Sequence, residues 1–260
     1  MLVELLVISL FTAFIAALTL FSGFGLGTLL LPAFALFLPA DLAVSATAVV
    51  HLANNLFKGS LLRADVDWQL VARFGIPAIA AAFFGALLLG VLSNLPAVFS
   101  YELHGALIGV TPLQISLGSL ILLFAFLELA DLDRWLRFPA KLLPLGGMLS
   151  GFFGGLSGHQ GALRAVFLAP LGLTAAAFAA TQALIAIGVD VTRLLVYGTA
   201  GIGGGLGAET APMIIAGIFG ALAGSLFGRR LLPKMTLTVV RRITAGLLFV
   251  TGAGLATGLL

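Results

Sequence analysis

Two stretches of this chain carry chemically capable side chains in matching order. The first runs from Ser22 to Lys58 and the second from Ser157 to Arg193. Each opens on a glycine-broken turn, SGFGLG at 22–27 and SGHQGA at 157–162, and closes on a polar residue three positions before a cation. Ser157, Asp190 and Arg193 each lie 135 positions after Ser22, Asn55 and Lys58. A spacing of three puts Asn55 with Lys58, and Asp190 with Arg193, on one helical face. In an apolar chain, an echo at half the length points to a duplicated fold with its site between the halves.

The chemistry of the two turns suits a small oxyanion. A helix starting after such a turn presents unpaired N–H groups and about half a positive charge. Gly23, Gly25 and Gly27 in the first turn, and Gly158 and Gly161 in the second, let a ligand approach the backbone closely. Ser22 and Ser157 add hydroxyl donors. Arg164 follows the second turn within an apolar stretch, where a guanidinium needs a partner or an anionic ligand. Its planar fork fits a sulfite, sulfonate or carboxylate. Pairing with Asp190, or snorkelling to the cytoplasmic face, would satisfy it equally.

The remaining polar residues mark a cavity, because they sit in segments without water. His51 and Asn54 share a helix face with Lys58, Asn55 is adjacent, and His159 and Gln160 occupy the second turn. Asp190 lies in an unambiguous helix interior and is the candidate for coupling transport to a proton or sodium ion. Arg193 reads as its ion-pair partner, and Lys58 as a cation near a helix end, free to snorkel. A different class of function would use His51, His159 and Asp190 as metal ligands in an intramembrane enzyme or scaffold. No fixed-spacing metal motif, nucleotide loop or nucleophile elbow accompanies them, so neither a metal nor another cofactor is expected, and no catalytic residue is assigned.

The elements that must position these residues follow from composition. Of 260 residues, 61% are hydrophobic and 9% charged, with mean hydropathy +1.20. Soluble domains carry roughly 25% charged residues. The chain therefore reads as an all-α polytopic membrane protein, since lipid forces each spanning segment to satisfy its own backbone. The alternation of a β-barrel is absent. Without cysteine there are no disulfides or thiolate ligands. The net charge of +3 indicates basic cytoplasmic loops rather than nucleic acid. The opening MLVELLVISL lacks a cationic region and is expected to be a retained helix.

Apolar runs define a first repeat over 1–130, with a hairpin at 1–40 and helices at 42–62, 69–92 and 112–129. A second repeat covers 142–260, with a hairpin at 142–172 and helices at 175–200, 209–228 and 239–259; residues 131–141 link them. Basic residues cluster around 58–73, 134–141 and 229–242, whereas 93–111 and 201–208 carry neither Lys nor Arg. The positive-inside rule places the basic connections in the cytoplasm and the bare ones outside. Counting crossings then makes 1–40 start and finish outside and 142–172 start and finish inside. The halves are inverted, with both termini outside. Each hairpin either crosses twice or turns back at mid-membrane; the short legs 26–38 and 162–172 favour the broken, re-entrant form. The connection 93–111 is expected to be an outer loop with room for an interfacial helix.

These motifs resemble the TauE/SafE family of sulfite exporters over nearly the whole chain. The resemblance is carried by SGFGLGTLLLPAFALFLPADLAVSATAVVHLANNLFK and GGLSGHQGALRAVFLAPLGLTAAAFAATQALIAIGVDVTRLLVY. In each, a glycine turn leads through an apolar run to Pro32 or Pro170, then to an Ala-Thr helix at Ala46-Thr47 or Ala180-Thr181. The second turn departs from the family's run of glycines by inserting His159 and Gln160 and adding Arg164. The resemblance implies a permease of the bacterial inner membrane that exports small sulfur-containing anions such as sulfite or organosulfonates. Its partners would be the anion, the lipid bilayer and a coupling ion; self-association as a homo-oligomer is compatible with it. An anion channel of the same fold is the nearest alternative.

Overall fold

In a computed structural model, residues 2–22, 26–130, 138–202, 206–231 and 237–260 are described, with backbone alone at 20–22, 228–231, 237–238 and 240–241. Among these residues the chain forms ten helices and one β-hairpin. The helices are α1 Leu2–Ser22, α2 Leu26–Ala35, α3 Ala40–Leu62, α4 Trp68–Ser93, α5 Pro112–Leu129, α6 Leu143–Ser157, α7 Gly161–Leu168, α8 Ala175–Ala200, α9 Ala211–Leu231 and α10 Leu237–Ala256. Helices α1, α4, α5 and α8 are each long and apolar enough to cross a membrane. Large apolar side chains such as Phe84, Phe126, Leu195, Phe219 and Val250 are more than 60% exposed on the outside of the bundle. That surface needs lipid as its solvent, and the chain is a polytopic helical membrane protein.

Local sequence explains where the helices start. Thr111 caps α5 through the Gln114 N–H, and the Gln114 side chain reaches back to the Thr111 N–H at 3.0 Å, a capping box with Pro112 at the first helical position. Thr174 caps α8 in the same manner, accepting from the Ala177 N–H. Helix α4 contains a π-helical turn at Val71–Gly75.

Glycine stripes set the pairing of the long helices. Gly147, Gly151 and Gly155 of α6 lie on the backbone of Phe74, Ala78 and Ala82 of α4, leaving no room for a methyl group. Gly220 and Gly224 of α9 meet Ser9 and Ala13 of α1 in the same way, and Gly118 and Gly252 join α5 to α10. Without a hydrophobic force between helices in lipid, such backbone contact is what holds them together. The order of these contacts gives direction: α1 runs parallel to α9, and α6 parallel to α4. Helix α3 runs parallel to α9, through Val50 with Gly217 and Asn54 with Ser225. It runs antiparallel to α8, through His51 with Asp190 and Gly59 with Ile187. Helices α3 and α8 cross the middle of the bundle.

The connection 93–111 differs from expectation. It is an antiparallel β-hairpin, β1 Phe99–Leu103 paired with β2 Ala106–Val110, and no interfacial helix forms there. His104 and Gly105 both take positive φ, 54° and 82°, as a two-residue hairpin turn requires. Tyr101 ties the hairpin to the end of α10 by donating to the Thr257 carbonyl at 2.7 Å.

Candidate functional site

The second hairpin breaks where glycine permits. Helix α6 ends because Gly158 takes φ +83°, a left-handed conformation that favours glycine, while its N–H still bonds the Gly154 carbonyl at 2.9 Å. The chain reverses, and α7 begins three residues later. Helices α2 and α7, at ten and eight residues, reach only about 15 and 12 Å, half or less of the hydrocarbon thickness. The start of α2 touches the second break: a methyl group built on Gly27 would sit 3.0 Å from the Gly158 carbonyl oxygen and 3.2 Å from the His51 ring. Gly23, Gly25 and the side chain of Ser22 lie outside the described residues.

Around this contact runs a buried polar network centred on Asp190. His51 Nδ1 lies 2.7 Å from Asp190 Oδ2. Arg193 holds Oδ1 with Nε at 3.0 Å and Nη2 at 2.8 Å, and Gln160 Nε2 donates to the same oxygen at 3.2 Å. Arg164 donates to Gln160 Oε1 and to the Gln182 carbonyl. Only one orientation of the Gln160 amide serves both neighbours, with oxygen toward the guanidinium and nitrogen toward the carboxylate. Arg164 is thus joined to Asp190 through Gln160. Asp190 and Arg193 are fully buried, Arg164 is 2% exposed and His51 8%.

A cavity of about 390 Å³ opens beside the network, toward the end of the bundle that carries the C-terminus of α3 and the N-terminus of α8. Gly27, His51, Asn55, Lys58, Gln160 and Arg164 line it, together with Gly158, Gly161 and Gln182. Among the described lining residues there are two cations, Lys58 and Arg164, and no carboxylate. Two donors there have no partner, Arg164 Nε and Gln182 Nε2. A buried donor left unpaired is costly, which marks these atoms as places for a ligand or water.

Other residues singled out in the sequence face elsewhere. Asn54 accepts from the Ser225 hydroxyl at 2.7 Å. Ser157 donates to the Phe153 carbonyl. His159 stacks on Phe124, with centroids 5.3 Å apart, and its Nδ1 is 3.0 Å from Ser157 Oγ. His159 is therefore not gathered with His51 and Asp190, and among the described residues no three potential ligands form a metal site. Thr28 and Ser225 line the cavity without having been flagged; each is an ordinary small polar residue, and only the turn before Thr28 hinted at it.

Short apolar helices that start beside a shared polar hollow are the arrangement of membrane transporters with discontinuous helices. The family model described as Sulfite exporter TauE/SafE matches residues 5–255, and the chain belongs to that family. It is a transporter family, so the protein is a multi-pass membrane protein of the sulfite-exporter type. No curated protein matches the chain.

Proposed function

We propose that this protein is a secondary transporter that exports a small sulfur-containing anion, sulfite or an organosulfonate, across the bacterial inner membrane by alternating access. One observation carries the proposal: a membrane-embedded cavity lined by two cations, unpartnered donors and no carboxylate. Such a site stabilises an anion electrostatically in a medium of low dielectric. The starts of α2 and α7 also line it, through Gly27 and Gly161, and add the positive ends of two helices.

The two halves, 1–130 and 142–260 joined by 131–141, act as inverted repeats that rock about the anion. The helix directions support this reading: α1 and α9 run with α3, while α4 and α6 run with α8, as Gly75 meeting Ile185 and Ile79 meeting Gly188 show, and so against α3. With the basic ends cytoplasmic, both termini lie outside and the cavity faces inward. The anion contacts Arg164, Lys58 and the glycine turns; His51, Asn55 and Gln160 complete the lining; and Asp190 with Arg193 belongs to the coupling machinery.

The test is counterflow of labelled sulfoacetate and labelled sulfite in proteoliposomes. Saturable uptake with trans-stimulation, shifted to much higher substrate concentration by Arg164→Ala, is expected. Flux that neither saturates nor shows trans-stimulation would instead identify an anion channel of this fold. Uptake unchanged in Arg164→Ala would remove Arg164 from the mechanism.

A further inference from the structure

We infer that the anion travels with a proton, and that His51 is the residue that carries it. This inference rests on the anion site proposed above and names its coupling ion. Asp190 is a poor carrier. It has no exposure, and its two oxygens already meet His51, Gln160 and the Arg193 guanidinium. Protonating it would break a buried ion pair with no water to replace either partner. The same contacts disfavour sodium at Asp190, because Oδ1 is already held by three donors and a fixed cation stands 2.8 Å away.

His51 differs in the needed respects. It bonds Asp190 through Nδ1 and also lines the cavity. The Asn55 amide nitrogen is 3.2 Å from both ring nitrogens, which places it over the ring face rather than along either lone pair. Nε2 lies beside Gly27, a cavity-lining residue. In the neutral ring, Nδ1–H donates to Asp190 Oδ2 and Nε2 holds a lone pair. A proton from cavity water can add at Nε2 while the Nδ1–H bond stays in place. Nothing else must move.

The surrounding charges link that proton to the anion. Asp190 and Arg193 face His51 from α8, Arg164 stands at the start of α7 and Lys58 lies on the same helix, two turns on. His159 is turned onto Phe124, Tyr197 donates to the Gly155 carbonyl, and α2 presents Gly27. With Asp190 and Arg193 cancelling, an empty cavity sets two cations against a third at His51, so the ring stays neutral. A bound anion offsets that repulsion and favours the imidazolium. By linkage, the proton strengthens anion binding as much as the anion strengthens proton binding. Gln160, bonded to both Arg164 and Asp190, is the positioning residue between the two sites.

The experiment is calorimetric titration of the purified protein with sulfoacetate, in buffers of different ionisation enthalpy, from about pH 6 to 8, the range where small shifts move a histidine. Sulfoacetate is fully ionised there, so any proton uptake belongs to the protein. Wild type should take up a fraction of a proton, at most one, per anion. Affinity should rise as pH falls, by no more than about tenfold per unit for one linked proton. His51→Gln, whose amide can donate to Asp190 but cannot take a proton, should bind more weakly, without proton uptake and independently of pH. His51→Asn serves if His51→Gln does not fold, and the wild-type measurement stands without either. Binding with no proton uptake, uptake that persists in both variants, or affinity that follows sodium instead of pH would overturn the assignment and leave the anion site standing. Failure of sulfoacetate, sulfite and sulfate to bind at all would overturn the anion site and this inference together.

Discussion

Helices α3 and α8 carry polar–cation pairs 135 positions apart, and they treat their cations in opposite ways. On α3, Asn55 and Lys58 line the cavity, and Asn55 spends its amide on the His51 carbonyl at 2.9 Å. On α8, an aspartate stands where α3 has asparagine, and Arg193 is clamped to it with both side chains at 0% exposure. The difference of one carboxylate decides the outcome. With a fixed counter-charge the cation becomes part of the scaffold, and without one it stays available to a ligand. A site that must bind and release an anion needs the second kind of cation, held in place by the first.

The largest way to break this contrast is to remove the counter-charge. Asp190→Ala strands Arg193 in the interior, and truncating one partner of a buried pair costs about 3–5 kcal/mol. Thermal unfolding in detergent should show a large loss of stability, most of it restored by adding Arg193→Met. If Arg193→Met restored nothing, the clamp would not be what Asp190 supplies.

Next in size is Arg164→Ala. A hydrogen bond to a charged group is worth about 1.5–3 kcal/mol, so sulfoacetate affinity measured by calorimetry should fall roughly 10- to 100-fold. Arg164→Lys should recover only part, because an ammonium cannot reproduce the guanidinium's contacts to Gln160 and Gln182. The smallest effect is expected from Lys58→Ala, on the last turns of α3, where the side chain is only partly buried and salt screens it in part. Affinity should drop only a few-fold, the deficit should shrink as ionic strength rises, and Lys58→Arg should behave like the parent.

Much of this architecture is legible in the residues. The second glycine turn appears as a helix break, the legs too short to cross are the short helices α2 and α7, and the start of α2 touches that break. The apolar character of nearly every segment, however, hides local departures. SYELHGALIGV folds as a hairpin, but its alternation is short and broken by glycine, so it reads as an ordinary loop. The two histidines show why site membership is harder to read than fold. His51 and His159 sit in equally apolar surroundings, yet one reaches Asp190 and the other stacks on Phe124. The packing around Phe124 decides this, and it has no signature in sequence. Gln160 looked like one more polar turn residue; its role as a bridge depends on two contacts made by residues far along the chain.

The absence of cysteine from the chain allows the central claim to be tested directly. A single Ala183→Cys places a thiol on the α8 wall of the cavity. Labelled with a membrane-impermeant maleimide in vesicles of each orientation, it should react only from the cytoplasmic side, and saturating sulfoacetate should slow the reaction at least several-fold. Equal rates with and without sulfoacetate, or reaction only from the opposite side, would contradict an inward-facing anion site between the two helix breaks.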